Sequence, residues 1–257
     1  MTTKTPLYGY CAEPQEFWVP LIEKAYAKLH GNYEILNEGQ IGEALVDMTG
    51  GVAEKYDLSK PEIKAAVDSG QFWKDLKKSH TQGFLVVCEN VVEDEDGRPV
   101  EGFGVKGIQF NRAQGIHKMA DLPEISNLQL VFIRNPWGQS NGVWLGAFAD
   151  EDEAWDDYKG LKERLDHSFR QDGNWWMRYE DWKANYNRVY VCKIFPSTWS
   201  QFSVASEWKG NTNGGPYPNL NVDKQKSQEE QKSPIDLDTC DRWFNNPQFR
   251  LSVTKRT

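Results

Sequence analysis

The texture of the chain changes at residue 83, and that change constrains the fold more than any other feature. Before it, apolar residues recur every three or four positions; after it, they gather in short β-branched runs divided by turn residues. Helices first and mostly antiparallel strands afterwards imply an α+β lobe. The spacing of Phe17, Trp18, Leu21, Ile22, Ala25 and Leu29 predicts a helix over 15–30, stopped by Gly31. A shorter helix is expected from Gln40 to Asp47. Ser59-Lys60-Pro61-Glu62 reads as a capping box with proline at the first helical position, opening a helix that turns Ile63 and Val67 inward. Ser69-Gly70 breaks it before a second piece that runs through Lys78.

Strands are expected at Phe84–Val92, Gly104–Ala113, Leu128–Arg134, Gly142–Phe148, Asn174–Arg178 and Arg188–Phe195. The acidic stretch Asp150–Asp157 leads into a helix through Leu165, and Glu180–Tyr186 reads as a short helix. Pro196-Ser197-Thr198 marks a boundary, which divides the chain into 1–196 and 197–257. In the second part, Trp199–Gly210 reads as strands and turns, polar 211–233 as a mobile loop, and Arg242–Val253 as a strand.

Composition narrows the function. A chain of 257 residues can bury a core without disulfide or metal staples. No run approaches the roughly 18 apolar residues of a membrane span, and Met1 to Cys11 lacks a signal-peptide pattern. A formal net charge of −8 disfavours nucleic-acid backbone as a partner. The cysteines Cys11, Cys88, Cys192 and Cys240 form no Cys-x-x-Cys pair and read as thiols of a reducing compartment, hence a cytoplasmic protein.

Five stretches, in order, resemble the calpain family of calcium-dependent, papain-like cysteine peptidases. They are Glu16 to Gly31, Glu43 to Gly51, Ile133-Arg134-Asn135-Pro136-Trp137-Gly138, Gly173 to Met177 with Asp181-Trp182, and Trp208-Lys209-Gly210 with Asn246-Pro247-Gln248-Phe249. The resemblance implies the second, histidine- and asparagine-bearing lobe of the core over 1–196, its helices packed on a mostly antiparallel sheet or barrel. Residues 197–257 are then the start of an incomplete β-sandwich. It also implies that the half bearing the nucleophilic cysteine is absent, so the expectation is a fragment or a truncated gene product. Trp18, Trp137, Trp144, Trp175, Trp176, Trp182, Trp208 and Trp243 lie in or beside these motifs and read as packing anchors.

The family pattern places a histidine after Val-Lys-Gly. Here Val105-Lys106-Gly107 is followed by Ile108, so Ile108 stands for the catalytic histidine. An isoleucine can neither take the thiol proton nor protonate a leaving amine. His117, expected further along the same strand, reads as an ordinary strand-end histidine. Asn135 keeps the position that would orient the imidazole and is a vestige of the triad; Trp137 falls on the cleft wall. The resemblance further implies a calcium loop. Asp150 and Asp172 match ligand positions, and Asn174 replaces a glutamate. Ser140-Asn141-Gly142-Val143 brings no acid where another ligand belongs, which leaves a weak calcium site as the one cofactor suggested.

Three functions follow in order. The first is a non-catalytic calpain-like protein that binds or scaffolds protein partners, with cytoskeletal ones implied by the resemblance. The second is part of a working cysteine endopeptidase whose nucleophile lobe lies in another chain or a missing segment. The third is a calcium-responsive binding module.

Overall fold

The computed structural model describes residues 8–11, 13, 15–37, 39–138, 142–167, 172–199, 202, 204–210, 246–250 and 252. The chain divides into two units, Met1–Pro196 and Ser197–Thr257.

In the first unit, helices α1 (Trp18–His30) and α2 (Ile41–Thr49) precede strand β1 (Val52–Asp57). Helices α3 (Pro61–Asp68) and α4 (Gln71–Thr81) follow, then β2 (Leu85–Glu89), β3 (Gln114–Leu122) and β4 (Leu128–Arg134). The unit closes with one helical turn, α5 (Leu161–Arg164), then β5 (Asn174–Arg178), α6 (Tyr179–Asn185) and β6 (Arg188–Lys193). The six strands form one open sheet in the order β1-β6-β2-β3-β4-β5, with every neighbouring pair antiparallel. The fold is α+β, as the texture of the chain requires, and of the two expected forms it is a sheet rather than a closed barrel.

Strand alternation puts a core on each face of the sheet. Val131 and Ile133 of β4, with Trp175 and Met177 of β5, face one cluster that also holds Phe72, Trp73 and Leu76 of α4 and Tyr179 and Trp182 of α6. Leu130 and Trp176, one step out of phase, face a second cluster with Leu122, Phe148, Trp155 and Leu161. Each of the large side chains on α4 contributes roughly 1.5–3 kcal/mol by leaving water. Asp121 satisfies the buried indole of Trp73 at 2.7 Å and also binds Lys77 and Gln129.

Several expectations need correction. Proline does open α3, but there is no capping box: the helix has no side-chain cap, and Ser59 bonds to Asp57 instead. Strand β1 lies where none is expected, and β3 begins only where the expected strand Gly104–Ala113 ends. The expected strand Gly104–Ala113 is a tight loop with a single bridge between Phe103 and Gln109. Gly107 has φ +84° there, and its amide returns to the Gly104 carbonyl at 2.9 Å. Apolar content suggests a strand, but the glycines let the chain turn back on itself. Gly142–Phe148 is likewise not a strand; Gly142 and Phe148 both have positive φ. The acidic stretch gives only a 3-10 turn at Glu153–Trp155 before α5.

Trp144, Trp175, Trp176 and Trp182 anchor the cores, whereas Trp18, Trp137 and Trp208 are exposed and Trp243 lies outside the described residues. On α1 the apolar stripe faces outward: Trp18, Leu21, Ile22 and Leu29 are exposed, and Ala27 alone is buried. In the second unit no strand forms among the described residues of 197–210 or 246–252; the loop expected over 211–233 lies outside the described residues.

Candidate functional site

Asn135 directly follows β4 and is 1% exposed. Its side chain works in both directions. Nδ2 donates to the Gly142 carbonyl at 3.0 Å, and Oδ1 accepts from the Trp137 amide at 3.0 Å. Its own amide donates to the Gly173 carbonyl at 2.9 Å, and its carbonyl accepts from Gly138. The Asn-Pro step therefore opens a turn that the side chain closes. Gly173 has φ +83°, and a Cβ there would sit 2.7 Å from the Gly138 Cα, so only glycine lets β5 begin so close to this turn. Trp137 stands beside it with 61% of its surface exposed.

Ile108 lies in the loop before β3 and is fully buried in the α4–α6 core with Trp144, Trp175 and Ile133. Its loop reaches Asn135 indirectly. A Cβ on Gly142 would meet the Gly107 carbonyl at 2.7 Å, and Gly142 is the residue that Asn135 holds. Ile108 and His117 do not share a strand: His117 sits on β3 at a bulge. Partial burial, Arg134 and His80 hold its imidazole below the ordinary histidine value. The remaining histidines are engaged elsewhere. His30 pairs with Asp47, His80 bonds to the His117 carbonyl, and His167 stacks on Trp155 at 4.2 Å.

Burial pushes Cys88 up to about 12, which keeps it protonated and poorly nucleophilic. Cys192 is buried beside the Thr49 hydroxyl, Cys11 is half-buried near the N-terminus, and Cys240 lies outside the described residues.

Asp150, Asp172 and Asn174 do come together. They line one cavity of about 160 Å³ with His167, Asp166, Lys118 and Phe132. Burial first, then the neighbouring Asp172 and Glu151, raise the Asp150 carboxyl to about 6. The Asn174 side-chain oxygen is buried without a hydrogen-bond partner among the described residues. Three carboxylates, Asp150, Asp166 and Asp172, and an orphaned amide oxygen are the right donor chemistry for calcium, which takes six to eight oxygens. They are too few for a full shell, and Lys118 brings a competing positive charge into the same cavity. Among the described residues no three His, Cys, Asp or Glu side chains form a metal-holding group. Ser140 and Asn141 lie outside the described residues. The residues present fit a partial calcium site.

Sequence reasoning missed Gln114, which is 1% exposed at the start of β3. Its Oε1 accepts from the Tyr186 hydroxyl and its carbonyl accepts from Cys88 Sγ at 3.4 Å. Its signal was weak, because the bulge between Ile116 and Lys118 breaks the alternation that would have announced the strand.

Comparison with known proteins follows the same line. The family described as "Calpain family cysteine protease" matches residues 1–193. The chain is 31% identical over 253 residues to the calpain-type cysteine protease ADL1 of Oryza sativa subsp. japonica, covering 98% of this chain and 10% of that protein. It is 32% identical to the calpain-type cysteine protease DEK1 of Arabidopsis thaliana, covering 97% of this chain and 10% of the other. With Calpain-9 of Homo sapiens it shares 31% identity, over 97% of this chain and 33% of the relative. The chain thus spans about a tenth to a third of the length of these relatives.

Proposed function

Because the chain belongs to the calpain family of cysteine proteases, we propose that it is a non-catalytic member that binds or scaffolds protein partners. One observation carries this reading: Ile108, which the resemblance sets at the family's histidine position, is an aliphatic residue sealed in the hydrophobic core. A general base that relays the thiol proton typically contributes about 10²–10⁴-fold, and aliphatic carbon supplies none of it. The buried, protonated Cys88 supports the same reading. Asn135 then serves the turn it closes, and Trp137 offers an exposed aromatic surface beside it. Two further attributes belong to the proposal: a cytoplasmic location and cytoskeletal partners. The described residues contain no helix long and apolar enough to cross a membrane.

The test is a thiol-directed activity probe together with casein cleavage in the presence of calcium. No labelling and no cleavage are expected. Calcium-dependent turnover that a thiol blocker abolishes would refute the proposal.

A second reading is part of a working endopeptidase whose cysteine lobe is supplied elsewhere. It is favoured by the outward apolar stripe of α1, a surface suited to another lobe. Adding a cysteine-bearing lobe, with a histidine restored at Ile108, separates the two: continued inactivity counts against the endopeptidase. Calcium responsiveness is a third reading, supported by the orphaned Asn174 oxygen beside Asp150 and Asp172. Calorimetric titration with millimolar calcium, followed by a melting scan, tests it; absence of heat and of any melting shift removes it.

A further inference from the structure

An asparagine that orients a general base must lie within hydrogen-bond reach of it, and in an antiparallel pair the ladder register decides which residue that is. β3 and β4 pair Gly115 with Arg134 and Ile116 with Ile133. Both isoleucines are buried in the same α4–α6 core. Side chains alternate, so two steps back from Ile116 and two steps on from Ile133 return to that face. Those steps end on Gln114 and Asn135. Carried one pair beyond Gly115 and Arg134, where the β3–β4 ladder ends, the same register would set them opposite one another, a position at which Cβ atoms of paired strands stand roughly 4.5–5.5 Å apart. Among the described residues these two are the buried polar side chains of the lobe, each 1% exposed. Ile108 lies six positions earlier, in the loop and off the ladder.

From this register we infer that Gln114, rather than Ile108, occupies the place where a general base would face Asn135, and that it closes that place. The inference rests on the non-catalytic reading and gives it a different seat. A carboxamide matches an imidazole in reach and hydrogen-bonding capacity but does not titrate near neutral pH. Its Oε1 is taken by the Tyr186 hydroxyl, and Tyr186 is itself buried on the end of α6. Its Nε2 has no partner among the described residues, a donor left in a sealed core. Leaving such a donor unpaired in a buried place is unfavourable, so a polar group is held here against the cost of burying it. Gln114 thus ties the start of β3 to Tyr186 and Cys88, and a side chain that does not titrate blocks a proton relay at this place.

The experiment places histidine separately at each position, Gln114→His and Ile108→His, in the full chain, with and without Asn135→Asp. The titration of the new imidazole is followed by NMR with labelled histidine. An opposite charge within about 4–6 Å raises a histidine midpoint by roughly one pH unit or more. That rise is expected for the imidazole at 114 and not at 108. A rise at 108 alone, or at neither position, overturns the inference. The wild-type protein supplies an independent check, free of any folding defect in the variants: a nuclear Overhauser contact between the Gln114 and Asn135 side chains. Absence of that contact overturns the register on which the inference stands. Peptidase activity in the wild type would refute the non-catalytic reading while leaving both NMR results intact, so the two failures are distinguishable.

Discussion

Replacing Asn135 with alanine separates two accounts of that residue. If Asn135 persists only as a relic that once oriented an imidazole, its removal is nearly silent, within about 0.5 kcal/mol. If it staples the turn, the loss is calculable from its bonds. The bond to the Trp137 amide is replaced in part by water, because Trp137 is exposed; its loss costs about 1 kcal/mol. The bond to the Gly142 carbonyl lies in a packed crossing against Gly107. Stranding that acceptor costs about 1–3 kcal/mol. Together Asn135→Ala is expected to destabilise the protein by about 2–4 kcal/mol. For a unit of this size that lowers Tm by roughly 5–15 °C. Urea denaturation followed by tryptophan fluorescence measures it, with the midpoint falling at unchanged slope. A loss below about 0.5 kcal/mol refutes the staple.

Gly107→Ala is expected to cost more than about 3 kcal/mol, because φ is +84° and the new Cβ would lie 2.3 Å from the Val143 carbonyl. Gly50→Ala, at φ +67° in open space, serves as the control and should cost about 1 kcal/mol in the same melts. Asp121→Ala removes the acceptor of the Trp73 indole and should cost about 1–3 kcal/mol by the same denaturation. Asp150 makes stability depend on pH. Its carboxyl is raised from 3.8 to about 6 in the folded protein, so the folded state binds the proton more tightly. That contribution is full below about pH 4 and is lost as pH rises through about 6. Asp150→Asn should therefore stabilise the protein above pH 6, by about 1 kcal/mol after solvent screening, and flatten the melting profile between pH 4 and 6.

What the sequence reveals and what it hides divide along physical lines. β4 and β5 are legible because they are buried on both faces and read as unbroken apolar runs, and α6 because Tyr179 and Trp182 recur at helical spacing; no glycine interrupts any of them. β1 is hidden because Val-Ala-Glu-Lys-Tyr-Asp is half polar and only partly buried; it lies at the sheet edge with β6 as its one neighbour. β3 is hidden by its bulge, and the glycine loop before it imitates a strand by composition. Linear spacing from a motif follows the chain, whereas the neighbours of a strand end depend on hydrogen-bond register across two strands, which the sequence does not display. Asp150, Asp172 and Asn174 line one cavity, but the Lys118 that shares it comes from β3 and leaves no local sequence signal.

The pairing of β1 with β6 has a consequence for synthesis. Val52 bonds opposite Lys193, and Asp57 opposite Arg188, so the partner of β1 is the last strand of the sheet to be made. At roughly 5–20 residues per second, β1 waits on the order of ten seconds or more on the ribosome before its partner emerges. During that interval α1 and its outward apolar stripe are tethered to an unpaired edge. Long-range closure of this kind also slows folding relative to local pairing. The first quarter of the chain is therefore the last to be secured, and whatever captures the stripe of α1 has its best opportunity before the sheet is complete.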